Sequence, residues 1–144
     1  VTTKIEEIIQ ELHSKLQGIF LLGELSDRSL DSVAGIGERI SSTILYEYIH
    51  NSCPGSHLVD ARKLIITDDV YGAAKANLTA SYSRIKGWYD EQPGSGGIWI
   101  TPGFIASNAA GIDTTLGRGG SDFTAAISNL DRCKRRTDCR SAEG

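Results

Sequence analysis

The chain has 144 residues, 15 basic and 18 acidic side chains, a formal net charge of -3, 16 glycines, three cysteines and no methionine. That length fits one domain with a real core and is too short for two. The charge excludes a global basic field for nucleic acid or an anionic membrane, and no apolar run approaches the roughly 20 residues that span a bilayer. The N-terminal region alternates charged and apolar residues with no signal-peptide layout, so a cytoplasmic location is expected. Cys53, Cys133 and Cys139 form no CxxC pair and have no histidine at ligand spacing, which argues against a zinc site or a disulfide framework. The chain begins at Val1 and lacks methionine, the pattern expected of a fragment or a processed product.

In TKIEEIIQELHSKLQ, Ile5, Ile8, Ile9, Leu12 and Leu16 recur at helical spacing between charges and predict an amphipathic helix over 3–17. His13 on that helix reads as a surface residue. Ser26 and Asp27 are good N-caps, so a second helix is expected from near Arg28, with Leu30, Val33, Ile40, Ile44, Leu45 and Ile49 as one buried stripe. Gly35 and Gly37 interrupt it; each glycine in a helix costs about 1 kcal/mol relative to alanine, so the pair implies a break or a close backbone approach. Glu38 follows directly, and local sequence alone reads it as a solvated glutamate in a first turn.

NSCPGSH is a turn by composition, and HLVDARKLIITDD predicts short strands at Leu58 to Asp60 and Leu64 to Thr67. Asp60, Asp68 and Asp69 fall near strand ends, where α/β ligand sites often lie, but a cap or turn role is the favoured reading for all three. A helix is expected over Ser81 to Tyr89, a loop at EQPGSGG and a strand at Ile98 to Thr101. GFIAS, NAAG and IDTTL predict a hairpin, and SDFTAAISNL a helix capped by Ser121 or Asp122. DRCKRRTDCRSAEG is polar, without apolar periodicity, and is expected to be exposed or poorly ordered.

Between hairpin and helix, DTTLGRGGSDFTAA brings Gly117, Gly119 and Gly120 to a helix start whose first amides lack intrahelical acceptors. Such a start binds anions through those N–H groups and the helix dipole. Arg118 adds a planar donor fork for carboxylate or phosphate, and Asp122 could orient a cation. A Walker A loop would end in Gly-Lys-Ser/Thr, and the dinucleotide fingerprint would need glycine at Asp122, so neither motif is present. A purely structural junction stays open on these residues alone.

TTLGRGGSDFTAA resembles the signature of the aspartate kinases of the amino-acid kinase superfamily, and FLLGELSDRSLD, GERISSTIL, DARKLIITDD and ITPGFIAS agree with it in order. The resemblance covers roughly residues 3 to 128, with the aspartokinase part of a bifunctional aspartokinase–homoserine dehydrogenase as the nearest type. It implies an α/β fold, a three-layer αβα sandwich with a mainly parallel sheet. It also implies transfer of the γ-phosphoryl group of Mg-ATP to the β-carboxylate of L-aspartate, giving 4-phospho-L-aspartate on the route to lysine, threonine and methionine. Carried over by position, Glu38 would hold the substrate ammonium and Arg118 a substrate carboxylate. Ser121 and the amides of Gly119 and Gly120 would line the same pocket, and Asp122 would help position catalytic lysines.

The family's KFGG[ST] turn, whose lysine contacts the transferring phosphate, has no counterpart in these residues, and its WTDVDG and DPR elements are not matched by RRTDCRSAEG. Thr137 and Asp138 echo only a TD pair. Residues 1–129 are therefore expected to form a central, incomplete part of the kinase domain, inactive alone. Residues 130–144 look foreign to the family, as a frameshift, a cloning junction or a miscalled gene end would. An open sheet edge in such a piece points to homo-oligomerisation or aggregation. Two other functions fit the pattern: a superfamily kinase for glutamate, acetylglutamate, carbamate or uridylate, and a non-catalytic anion-binding module.

Overall fold

The computed structural model describes residues 2–91 and 98–128; most of the EQPGSGG loop and the polar tail lie outside the described residues. Helix α1 covers Thr2–Leu22 and α2 covers Asp27–Ser52. Ser26 caps α2 as expected, its hydroxyl accepting from the Ser29 amide at 3.2 Å. The helix ends where the Cys53 amide donates to the Ile49 carbonyl at 2.8 Å, just before Pro54, which cannot continue it.

Of the two alternatives for Gly35 and Gly37, the helix shows the close approach, at Gly35, and runs through both glycines without a break. The expectation for its buried face needs correction: Leu30, Ile44 and Leu45 are exposed, while Asp31, Gly35, Ile36, Ser42 and Thr43 are buried. The physical reason lies in how closely α2 approaches the strands. A Cβ on Gly35 would stand 3.1 Å from Cγ2 of Ile105, so small residues and satisfied polar ones occupy the contact. On α1, Ile8 is buried, whereas Ile9, Leu16 and Phe20 remain exposed, and His13 is exposed as anticipated.

Strand β1 is Ser56–Leu58, earlier than the expected Leu58 to Asp60, and a short helical turn α3, Ala61–Leu64, separates it from the second expected strand. Asp60 causes that turn by accepting from the Arg62 amide at 3.1 Å as its N-cap. Strand β2 is Ile66–Thr67, α4 is Leu78–Asp90 with Asn77 as its cap, and β3 is Ile98–Ile100. Strands β4, Ile105–Asn108, and β5, Asp113–Thr115, form the expected hairpin, antiparallel with Ala106 opposite Thr114. A last helix, α5, occupies 120–128.

β1 pairs with β3 in parallel, and β4 pairs in parallel with β2. Successive strand residues face opposite sides of a sheet. In β4, Ile105 meets α2, whereas Ala106 joins a core with Ile85 of α4 and Ile127 of α5. Helices thus cover both faces of β4, the αβα layering expected. Ile85 and Ile127 are almost wholly buried, which stabilises by roughly 1.5–3 kcal/mol for each side chain of this type.

Candidate functional site

The glycine turn leaves the far end of β5 and is held from two sides. Gly117 and Gly119 have φ of 71° and 77°, a left-handed backbone that glycine adopts without steric cost. Gly117 packs on the 72–73 segment, where a Cβ would lie 3.3 Å from the Cα of Ala73. Gly120 is buried, and a Cβ there would meet the Cβ of Leu116 at 2.9 Å and the Cα of Phe104 at 3.1 Å. Phe104 has φ of 67°, a region costly for a side chain of its size, at roughly 1–3 kcal/mol. Its carbonyl accepts from the Leu116 amide at 2.9 Å, so packing and hydrogen bonding together hold the strained residue against the turn.

The turn's polar groups sort into used and unused ones. The Gly120 amide donates to the Gly117 carbonyl at 3.1 Å, and the Phe123 amide to the Gly119 carbonyl at 3.0 Å. The Gly120 amide is thus engaged within the turn, and the missing side chain of Gly120 allows the close packing. Ser121 and Asp122 lie inside the first turn of α5 and are not its caps, because the helix already starts at Gly120. Among the described residues the amides of Gly119, Ser121 and Asp122 have no acceptor, and the side chains of Arg118, Ser121 and Asp122 have no hydrogen-bond or ion-pair partner. All three side chains are exposed.

Glu38 sits half-buried on α2, and its carboxylate also lacks a partner among the described residues. No direct hydrogen bond or ion pair joins it to 117–122. The fold thus leaves the Gly119 amide and the side chains of Arg118, Ser121 and Asp122 unpaired on the turn, and the Glu38 carboxylate unpaired on α2.

Asp31 was not singled out in the sequence, yet it organises the site. It is 3% exposed, and its carboxylate accepts from the Gly72 amide at 3.0 and 2.9 Å, the Thr115 amide at 3.0 Å and the Thr115 hydroxyl at 2.7 Å. The other end of β5 is fixed by ion pairs. Asp113 accepts from Arg62 at 3.1 Å and lies 3.7 Å from Lys15, which bonds Glu11 at 2.6 Å; Glu11 in turn pairs with Arg39 at 2.7 Å. Burial raises the Asp60 carboxyl, but the hydrogen bonds and charge of Arg62 outweigh it and leave Asp60 below the usual carboxylate range. Glu11 follows the same pattern, with burial outweighed by Lys15 and Arg39. Asp60 also pushes the Arg62 guanidinium further above its ordinary value.

Asp60 and Asp68 take the cap and turn roles favoured for them, whereas Asp69 bonds a side chain of β4. Besides capping α3, Asp60 pairs with Arg62 at 2.7 Å. Asp68 accepts from the Val70 and Lys75 amides at 3.3 and 3.0 Å, and Asp69 accepts from the Asn108 side-chain amide at 2.7 Å.

No family model matches the chain. Over 126 residues it is 32% identical to the chloroplastic bifunctional aspartokinase/homoserine dehydrogenase 2 of Zea mays, covering 87% of this chain and 14% of that protein. It is 32% identical over 125 residues to the lysine-sensitive aspartokinase 3 of Escherichia coli (strain K12), covering 83% and 28%. Among solved structures, E. coli aspartokinase III in complex with aspartate and ADP (R-state) aligns with a TM-score of 0.77 and 28% identity over 89% of this chain and 28% of the other. The same enzyme in complex with lysine and aspartate (T-state) aligns with a TM-score of 0.78 over 90% of this chain. The fold is of the amino-acid kinase type, α/β with mainly parallel strands. Within that class the chain belongs with the aspartokinases, matching a segment of their length. No helix among the described residues is long and apolar enough to cross a membrane.

Proposed function

We propose that this chain carries the amino-acid side of an aspartate kinase active site. In this reading Glu38 pairs with the α-ammonium of L-aspartate and Arg118 grips a carboxylate of the same molecule. Ser121 and the free amide of Gly119 line the pocket, and Asp122 orients basic groups near the reacting carboxylate. Phosphoryl transfer depends mainly on aligning nucleophile and phosphate and on neutralising their charge. These residues would do the aligning for the nucleophile: a bidentate grip at Arg118 on a carboxylate and an ion pair of Glu38 with the ammonium fix a short amino acid at two points.

The phosphoryl donor of the parent enzyme would be ATP with Mg2+. Among the described residues no group of three or more His, Cys, Asp or Glu could hold a metal ion, and no phosphate-binding lysine motif occurs in the 144 residues. The chain by itself is expected to be inactive.

The observation carrying the reading is the turn itself. Gly103–Phe104 and Gly72–Ala73 hold it rigidly while Arg118, Ser121 and the Gly119 amide stay unpaired, in a chain similar to enzymes solved with aspartate bound. An ATP-dependent aspartyl-hydroxamate assay on the purified chain tests the division of labour. Background turnover is expected, and a rate near that of an intact aspartokinase would refute it.

A further inference from the structure

We infer that Asp31 is a positioning residue that sets the distance between Glu38 and the glycine turn, and thereby the preference for a ligand bearing an ammonium group. Asp31 and Glu38 share helix α2, with Glu38 about two turns later on nearly the same face. The backbone of Glu38 cannot move relative to the turn without α2 moving. What fastens α2 at that end is the Asp31 carboxylate, through Thr115 at the root of the turn and through Gly72. Gly72 precedes Ala73, the residue against which Gly117 packs. One carboxylate therefore grips both walls of the turn and the helix that bears Glu38.

The chemistry explains why an acid stands there. Three donors converge on two oxygens: the Gly72 amide, the Thr115 amide and the Thr115 hydroxyl. A carboxylate is acceptor-only and satisfies all three, whereas an asparagine has one acceptor oxygen for the two amides and must set its NH2 against the Thr115 hydroxyl, which then has to accept instead of donate. Burial at 3% exposure without a cationic partner among the described residues is costly, and three hydrogen bonds compensate only while the geometry holds. The site is thus intolerant of small displacements, which suits a spacer between two halves of a pocket.

That role presupposes the aspartate reading, and the test separates the two. The whole chain is titrated calorimetrically with L-aspartate and with succinate, which lacks only the ammonium, in wild type, Asp31→Asn, Thr115→Val and an Ile85→Val control. Asp31→Asn is expected to shrink the preference for aspartate over succinate by about tenfold, the size of one misplaced charged hydrogen bond. Thr115→Val, which deletes one bond and keeps the shape, shifts it in the same direction by less. The control, a loss of packing in the core that touches none of the Asp31 hydrogen bonds, leaves the ratio unchanged. Equal losses for both ligands in Asp31→Asn, or none, overturn the inference. Amide hydrogen exchange at Leu116 to Gly120 is measured in parallel and is expected to rise in Asp31→Asn beyond any rise in the control. If the wild type binds no aspartate, the functional reading fails. Unchanged exchange at the turn would then overturn the positioning role independently.

Discussion

Gly103 lies so close to Ser121 that a Cβ on it would stand 2.7 Å from the Cα, Cβ and Oγ of Ser121. The contact includes backbone, so no change of rotamer relieves it. Gly103→Ala is therefore expected to push the start of α5 away from Phe104, destabilising the fold by roughly 1–3 kcal/mol, as overpacking does. Urea denaturation would report that loss, and the same variant should weaken aspartate binding. An unchanged urea midpoint would contradict the packing described for the turn.

The two glycines of α2 should respond in opposite ways. Gly37 is exposed and a Cβ on it would meet nothing within 4 Å, so Gly37→Ala should stabilise by about 0.8–1 kcal/mol through helix propensity alone. At Gly35 the facing atom is Cγ2 of Ile105, a side chain only 2% exposed that has little room to yield. Gly35→Leu should cost roughly 1–3 kcal/mol. Paired thermal or urea unfolding curves check both, and equal shifts of one sign would be inconsistent with the helix–sheet contact.

The ion-pair network gives the stability a defined acid limb. Asp60 and Glu11 have carboxyls held below their ordinary range in the folded chain. A lowered folded value means that the unfolded state binds protons first. The stabilisation is complete above the unfolded values, about 3.9 for Asp and 4.3 for Glu, and is lost as pH falls through the lowered folded values. Stability should stay level from neutrality to about pH 5 and drop below about pH 4. In Asp60→Asn that drop should be shallower, as urea midpoints measured across the range would show.

Much of the architecture was legible in the chain. Ser26 as a cap, the hairpin around NAAG and the helix after the glycine turn each have a local cause, so sequence pattern reached them. The buried face of α2 was not legible, because burial there follows from Ile105 approaching Gly35 across a long sequence separation. Asp31 was missed for the same reason: its donors are the distant Gly72 and Thr115, and nothing near it in sequence marks it as buried. Phe104 carries no signal for a left-handed backbone, since such a φ is expected of glycine. By contrast, Arg118 was reached from its donor fork beside the glycines, Glu38 and Ser121 as pocket residues through resemblance, and their lack of partners in the fold gives all three a physical reason to await a ligand.

The central claim is that Glu38 and Arg118 hold opposite ends of one amino-acid molecule. Calorimetric titration of the chain with L-aspartate, in wild type, Glu38→Ala and Arg118→Ala, tests it most directly. Binding is expected in the wild type, with each variant losing at least about tenfold in affinity, the scale of a charged hydrogen bond. Absence of aspartate binding in the wild type, together with phosphate binding that survives Glu38→Ala, would contradict the account and leave a simple anion-binding turn.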